Sequence, residues 1–389
     1  MQNFVYHTPT KVFFGKDTHK NVGEIIKEYG YKKIMMQYGK SSIKKSGLYD
    51  EVVKSLRDND IEFVEMGGVD PNPRLSFVYD AIEVAKKENV EFILAVGGGS
   101  VIDSCKFTAL GVKYDGDVWD FPTGKAVPQN ALPVGCILTI SAAGSEMSKS
   151  AVITNTQLKE KRGCGTEFNR CTFSILNPEL TYSVSPYQTA CGIVDMMTHT
   201  MERYFYPVEP TPLTDSISEA LLRNIILSAK VVMKNPSDYE ARANLMWASS
   251  LSHNDLTGCG RAHALAVHQL EHALSGEYED VPHGAGLALL YPKWARYVYK
   301  YDVPRFAQFA RNVWGVEEAD DEKAALCGIE EMEKFFEFLG MPAHLSDFEI
   351  PDTPSEVYAN LCTHGKSRVI PSVIDLDYDR VKDIFDMCI

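Results

Sequence analysis

The sequence lacks several features that would assign it to a membrane, secreted or zinc-finger class. No run approaches the roughly 20 consecutive apolar residues of a membrane helix. Residues 1–6 show neither the basic nor the apolar segment of a signal peptide. The nine cysteines include no Cys-x-x-Cys pair, which is typical of reduced thiols in a cytosol and argues against a cysteine-ligated zinc. We therefore expect a cytoplasmic protein with no membrane partner.

Basic residues are in the minority. Lys and Arg number 39 against 53 Asp and Glu, a net charge of −14 with no acidic block. Such a surface repels phosphate backbones, so nucleic acid is not an expected partner. Apolar residues make up 45% and charged residues 24%, as in globular proteins. A chain of 389 residues is too long for one ordinary core and predicts two domains.

Short apolar segments alternate with helical ones in the first half. We predict strands over residues 33–38, 61–66, 92–96 and 134–138, and the third is apolar enough to be buried on both faces. Two β-like segments, 151–153 and 172–176, flank the polar stretch 154–169, which we interpret as a hairpin or an excursion at a domain edge. The alternation predicts a parallel α/β sheet.

Helical periodicity dominates from Pro186 onward, and strand signals nearly vanish. We predict an α/β domain over residues 1–183 and an all-helical domain over residues 184–389. We find no internal repeat and no low-complexity segment.

A glycine-rich turn, residues 97–100, follows the third strand and opens a helix. Its three glycines would let a ligand approach the backbone, and the helix N-terminus suits a pyrophosphate. Asp103 is expected in the first helical turn, where a carboxylate also caps. The alternative is a tight strand–helix turn without a ligand. The turn is not the G-x-G-x-x-G of a standard dinucleotide fold.

An earlier turn, Gly39-Lys40-Ser41-Ser42, follows the first predicted strand. NAD-preferring sites usually place an acid at such a strand end to bind the ribose 2′-hydroxyl, and none is present here. Hydroxyl groups and lysines suit a 2′-phosphate, so the sequence favours NADP over NAD. The alternative is a solvated basic helix start.

Histidines and an aspartate recur at helical spacing in the second half. Asp195 and His199 are four residues apart, as are His268 and His272, and His283 follows a proline at a predicted helix start. Asp195, His199, His268 and His283 would form a set of one carboxylate and three imidazoles. Such a set suits Fe²⁺ or Zn²⁺, which would act as a Lewis acid toward a substrate oxygen.

His272 shares a helix face with His268 and would either carry the proton to solvent or orient a ligand. We place His263 and His272 outside the ligand set. A metallohydrolase is a poorer interpretation, because no His-Glu-x-x-His motif is present.

Together these residues resemble the iron-containing alcohol dehydrogenases, in the branch of NADPH-dependent butanol dehydrogenases and broad aldehyde reductases. The resemblance spans nearly the whole chain, including segments 13–15, 39–47, 70–73, 144–147, 177–178, 195–200 and 268–284. It departs from the family pattern at Lys40, within the turn at Gly39, and at 139–146, where a threonine is lost.

The resemblance implies a fold like that of dehydroquinate synthase. In this fold, residues 1–183 would form a dinucleotide-binding domain and residues 184–389 a metal-binding domain, with cofactor and metal meeting in a cleft. It also implies a homodimer. It implies the same four metal ligands. It also implies cofactor contacts from Gly39, Ser41, Ser42, Asn72, Gly98, Gly99, Ser100, Asp103, Thr139 and Lys161.

Two other functions are weighed against an NADP(H)-dependent dehydrogenase acting on a small alcohol or aldehyde such as butanol or butanal. A lyase of the dehydroquinate synthase type would need several cations around a phosphorylated substrate, and Arg203 and Arg261 are the nearest in sequence. A catalytically silent binding protein would have no need of three convergent imidazoles.

Overall fold

The computed structural model describes residues 1–207 and 210–389. The chain forms two compact units. A sheet unit comprises His7–Val184 with Pro236–Ser250, and a helical unit comprises Met1–Tyr6, Ser185–Asn235 and Leu251–Ile389. The predicted division was between residues 183 and 184. In the structure, two segments lie on the other side of it: residues 1–6 belong to the helical unit, and Pro236–Ser250 belongs to the sheet unit.

The sheet unit is built on six parallel strands in the order β1-β8-β5-β4-β2-β3. The strands of this sheet are β1 Lys11–Phe14, β2 Lys33–Tyr38, β3 Glu62–Gly67, β4 Phe92–Gly97, β5 Val134–Leu138 and β8 Phe173–Leu176. The side chains of 92–96 are fully buried, because helices cover both faces of a parallel sheet. The predicted parallel α/β sheet is confirmed.

The polar stretch after β5 forms a hairpin. Strands β6 Ser150–Asn155 and β7 Glu160–Gly165 pair antiparallel, with Thr154 opposite Lys161. The chain then returns to the main sheet at β8, which pairs with β5 and with the edge strand β1. The hairpin expected over 154–169 is therefore present. Its second strand, β7, was not predicted, because the residues that form it are polar or glycine.

One group of helices lies between the strands of the sheet unit. The second group belongs to the helical unit, except that its third helix has residues 239–250 in the sheet unit. The first group is α1 Val22–Glu28, α2 Ser42–Lys45, α3 Leu48–Asp58, α4 Leu75–Glu88 and α5 Gly99–Val112. The second group is α6 Pro186–Phe205, α7 Pro212–Val232, α8 Tyr239–His253, α9 Ala266–Glu277, α10 His283–Val298, α11 Val303–Phe309, α12 Asp321–Phe338, α13 Ser355–Thr363 and α14 Tyr378–Asp386. The predicted change from strands to helices is confirmed.

Helix α6 is central to the helical unit. Ser185 caps its N-terminus by accepting a hydrogen bond from the Gln188 backbone, and Pro186 occupies the first turn. Its residues from Thr189 to Phe205 are buried. Gly284 at the start of α10 allows close packing, since a Cβ there would lie 2.2 Å from the Cys191 carbonyl oxygen. Among the described residues, no helix combines the length and apolar character that a membrane crossing requires.

Candidate metal centre and nucleotide-binding edge

Three helices bring the predicted metal ligands to one point. Asp195 and His199 lie one turn apart on α6, His268 lies in the first turn of α9, and His283 begins α10 after Pro282. The Oδ1 atom of Asp195 is 3.3 Å from His199 Nε2, 3.5 Å from His268 Nε2 and 3.9 Å from His283 Nε2. The ligand atoms of Asp195, His199 and His268 lie within 4.8 Å of one another, and His283 Nε2 approaches this group through Asp195 Oδ1.

The atoms at this centre fit a cation. Asp195 Oδ1 and His268 Nε2 are buried and have no hydrogen-bond partner within the described part of the chain. Buried polar atoms left unpaired destabilise the folded state by about 1–3 kcal/mol each. A metal ion would accept lone pairs from both, and its usual ligands include this donor set.

A second layer of side chains orients the imidazoles. The Nδ1 atom of His268 is hydrogen-bonded to Glu202, and that of His283 to Glu271. The Nδ1 atom of His199 lies 2.8 Å from His253 Nδ1. Each interaction leaves Nε2 directed at the centre, which is how proteins fix the orientation of metal-binding histidines.

The sequence analysis missed Glu202, Glu271 and His253. Two of them had a local signal: Glu202 follows His199 by three residues on α6, and Glu271 follows His268 by three on α9, so each shares a face with a ligand. His253 had none, because it reaches His199 through the tertiary fold alone.

Acidic side chains surround the imidazoles. Asp195, Glu202 and Glu271 each lie beside one or more of them, and this favours a cation at the centre. Burial lowers the pKa of His268, but Glu202 and Asp195 outweigh burial and raise that pKa to about 9. Without a metal, His268 therefore holds a proton that a metal would displace.

His199 behaves in the opposite way. Burial first, and then its neighbours His253 and His268, hold the pKa of His199 well below its usual value. The His199 imidazole is thus neutral near pH 7 and able to donate a lone pair.

His272 lies beside the centre and His263 outside it. The ring centroid of His272 is 5.8 Å from that of His283, and nitrogen or oxygen atoms of Glu271, His272 and His283 lie within 4.8 Å of one another. His272 is partly exposed, whereas His263 is exposed in the segment before α9. The proton-carrying and orienting roles of His272 both stay predictions.

The arginines near the centre are engaged within the protein. Arg203 donates to the His199 carbonyl oxygen at 2.6 Å and to that of Ser252 at 3.1 Å. Arg261 donates to Asp215 at 2.6 Å, a carboxylate that it shares with Arg305. Neither guanidinium presents the cationic surface that a lyase acting on a phosphorylated substrate would need.

In the sheet unit, the predicted nucleotide-binding residues lie at the carboxyl ends of neighbouring strands. Gly39 follows β2, Gly98 and Gly99 follow β4, and Thr139 follows β5. The Thr139 amide donates to the Gly97 carbonyl oxygen at 3.1 Å. Ligands of open parallel sheets bind at this edge.

The turn after β4 packs closely against its surroundings. A Cβ on Gly98 would lie 2.4 Å from Ile140 Cγ2, so the close approach needs glycine there. Ser100 donates to the Pro71 carbonyl oxygen, which brings the segment containing Asn72 beside the first turn of α5. Gly98, Gly99, Ser100, Asn72 and Thr139 are thus gathered at one edge.

Asp103 is not where the sequence placed it. It is the fifth residue of α5, beyond the first turn, and its carboxylate accepts from Ser145 Oγ at 2.6 Å and from the Val152 amide at 2.9 Å. It therefore ties α5 to the segment containing Ser145 and to β6 instead of capping the helix. Lys161, on β7, is near enough to influence the Asp103 carboxyl electrostatically.

The turn after β2 is exposed but its lysine is paired. Ser41 and Ser42 are exposed at the start of the short helix α2. Lys40 Nζ lies 2.6 Å from Asp70 Oδ1, and Arg74 Nε lies 3.4 Å from the other oxygen of that carboxylate. An acid therefore stands beside this turn, although it comes from a different part of the sequence.

A sheet edge suited to a nucleotide and a helical unit suited to a divalent metal are the features of a metal- and nucleotide-dependent enzyme. The chain belongs to the iron-containing alcohol dehydrogenase family. Residues 9–178 match the family described as iron-containing alcohol dehydrogenase, and residues 189–387 match its C-terminal region. The family predicted from the sequence is confirmed.

Individual relatives match over nearly the full length. The chain is 42% identical over 387 residues to NADH-dependent butanol dehydrogenase A of Clostridium acetobutylicum, with 99% of each chain covered. It is 35% identical over 353 residues to the NADPH-dependent aldehyde reductase YqhD of Escherichia coli, covering 90% of this chain and 89% of that one. The structure of NADH-dependent butanol dehydrogenase A from Thermotoga maritima superposes with a TM-score of 0.96 at 40% identity, covering 100% and 99% of the two chains.

Proposed function

We propose that the protein is an alcohol dehydrogenase and aldehyde reductase that transfers hydride between a nicotinamide cofactor and a small primary alcohol or its aldehyde. The observation that carries the proposal is the convergence of three imidazole Nε2 atoms on Asp195 Oδ1, two of them positioned by buried carboxylates. Such a centre is built to hold a metal ion, for which Fe²⁺ and Zn²⁺ are the candidates.

Each side chain of the centre has a role in this chemistry. A divalent ion bound by Asp195, His199, His268 and His283 would supply Lewis acidity toward the substrate oxygen. Glu202 and Glu271 keep the protons of His268 and His283 on Nδ1, so that both Nε2 atoms point inward. His272, partly exposed beside His283, is the candidate to exchange the alcohol proton with solvent.

The substrate proposal is supported by the relatives. The relative of 42% identity is named for butanol, and that of 35% identity is named as an aldehyde reductase. Butanol and butanal are therefore the test substrates. A lyase on the same scaffold is not supported, because Arg203 and Arg261 are held by internal hydrogen bonds.

The cofactor is proposed as NADP(H), as the sequence around Gly39 predicts, with NAD(H) as the competing choice. Exposed Ser41 and Ser42 support a 2′-phosphate. The pairing of Lys40 with Asp70 weakens that support, and the relatives include both NADH- and NADPH-dependent enzymes. We further propose a cytoplasmic homodimer; the strand β1, at one edge of the sheet, is a candidate for the shared edge.

The test is oxidation of 1-butanol and reduction of butanal with each cofactor, before and after removal of metal with a chelator. The proposal requires turnover that stops on chelation and returns when Fe²⁺ or Zn²⁺ is restored. Chelator-insensitive turnover would eliminate the metal role. Faster turnover with NADH than with NADPH would eliminate the NADP(H) assignment and leave the reaction class intact.

A further inference from the structure

His199 differs from the other two imidazoles in what stands behind it. His268 and His283 are each backed by a carboxylate, but His199 is backed by another imidazole, that of His253. His253 is the last residue of α8 and is buried. Behind His253 stands the guanidinium of Arg203, whose Nη2 atom is 3.2 Å from His253 Nδ1.

The positions of the protons follow from this chain of contacts. The Nδ1 atoms of His199 and His253 lie 2.8 Å apart, so one proton must lie between them, since two lone pairs or two N–H groups would repel each other. Arg203 can only donate, so the His253 Nδ1 that it approaches must carry the lone pair. The shared proton therefore resides on His199 Nδ1, and the lone pair of His199 resides on Nε2.

Arg203 is itself fixed. Its Nη1 atom donates to the carbonyl oxygens of His199 and Ser252, and the residue is buried. The guanidinium therefore cannot turn away to release His253. The bare Nε2 of His199 then faces Asp195 Oδ1 at 3.3 Å, an arrangement of two lone pairs that a cation between them would stabilise.

We propose that His253, held by Arg203, is a positioning residue that fixes His199 in the tautomer able to bind the metal. The inference rests on the proposed function, because it concerns the same metal centre. It also assigns a function to Arg203, which is to hold the Nδ1 lone pair of His253 in place.

The test compares two substitutions of His253. His253→Asn keeps an oxygen acceptor near the position of Nδ1, whereas His253→Leu removes the acceptor. Metal-free protein is titrated with Zn²⁺ against a competing chelator, and the Co²⁺-substituted protein is examined by visible absorption, which reports ligand geometry. His364→Asn, at the exposed end of α13 with a left-handed backbone that asparagine tolerates, is the matched control.

We expect His253→Leu to bind metal about 10- to 100-fold more weakly, as is usual when a ligand's orienting partner is lost. Its Co²⁺ spectrum should change, while His253→Asn and His364→Asn retain spectra close to that of the parent protein. Thermal melting of the metal-free proteins establishes that each variant is folded. If His253→Leu does not fold, Arg203→Lys takes its place in the test. This variant keeps the positive charge but loses the forked donor geometry of the guanidinium, and it should also weaken metal binding.

Unchanged affinity and spectrum in His253→Leu would overturn the inference. Equal damage in His253→Asn and His253→Leu would also overturn it, since the ring and not the acceptor would then be required. Failure of the parent protein to bind Zn²⁺ or Co²⁺ would instead overturn the proposed function, so the two failures are distinguishable.

Discussion

The ammonium group of Lys40 lies 2.6 Å from the carboxylate of Asp70, at the turn proposed to bind the cofactor's 2′-phosphate. The two residues come from the loops that follow neighbouring strands β2 and β3. A carboxylate here offsets the cation and would repel a phosphate. The same carboxylate is of the type that binds a ribose 2′-hydroxyl in NAD sites.

Replacing Asp70 with Asn should therefore shift the cofactor preference toward NADPH. Because the pair is partly exposed, we expect the ratio of kcat/KM for NADPH to that for NADH to rise about 3- to 10-fold, in keeping with the modest strength of surface ion pairs. Lys40→Ala should lower the ratio. Asp58→Asn, in an exposed ion pair on α3, is the control, and no change in either variant would remove this turn from cofactor discrimination.

Removal of the metal should lower the stability of the helical unit as well as stop turnover. The centre leaves Asp195 Oδ1 and His268 Nε2 unpaired in the protein alone. A ligand present at 1,000 times its Kd stabilises the folded state by about 4 kcal/mol. Calorimetry of the metal-free protein at increasing Zn²⁺ should show a rising Tm, and a Tm independent of metal would show that the centre does not bind it.

His272→Asn separates the two roles considered for that side chain. If His272 carries the proton, kcat should fall about 100-fold while metal content is unchanged, since proton transfer by a positioned group contributes at least that much. The two roles are distinguished by measuring steady-state kinetics together with metal content by inductively coupled plasma mass spectrometry. Loss of metal together with activity would favour the orienting role.

Asp215 should stabilise the helical unit at neutral pH and lose this stabilising effect in acid. Burial raises the pKa of Asp215, but hydrogen bonds and charge from Arg305 and Arg261 outweigh burial and lower it below 3.8. Its stabilisation is therefore complete above pH 3.8 and is lost as the pH falls through the lower, folded-state pKa. Asp215→Asn should cost about 3 kcal/mol at pH 7 by leaving buried guanidinium groups uncompensated.

Urea unfolding of the parent protein and Asp215→Asn at several pH values tests this. The difference in unfolding free energy should be constant above about pH 4 and shrink below it. A difference that persists unchanged in acid would mean that packing, not charge, explains the loss. Asp383→Asn, on the exposed side of α14, provides the comparison for a simple change of Asp to Asn.

The parts of the fold that could be predicted from sequence are those fixed by local pattern. The apolar strand Phe92–Gly97 could be predicted because burial on both faces requires an unbroken apolar run. Asp195 and His199 could be paired because their spacing is one helical turn. Strand β7 could not be predicted from its sequence. It pairs only with β6 in a hairpin, where polar and glycine residues can form a strand without an apolar pattern.

What the sequence could not supply were the partners brought in by tertiary structure. His253 reaches His199 from another helix, and Asp70 reaches Lys40 from the loop after another strand. Asp103 looked like a helix cap because a carboxylate near a helix start usually is one. Its bonds to Ser145 and Val152 depend on a segment more than forty residues further along the chain.

The order of the ligands along the chain has a consequence for how the protein acquires its metal. During synthesis of the chain, Asp195 and His199 on α6 are added before α7 and α8, whereas His268 and His283 are added after them. A ribosome-bound chain that ends before α9 therefore has one carboxylate and one imidazole, a pair that holds divalent ions weakly. We therefore expect the centre to become able to bind an ion tightly only after α10 has been synthesised and packed against α6 and α9.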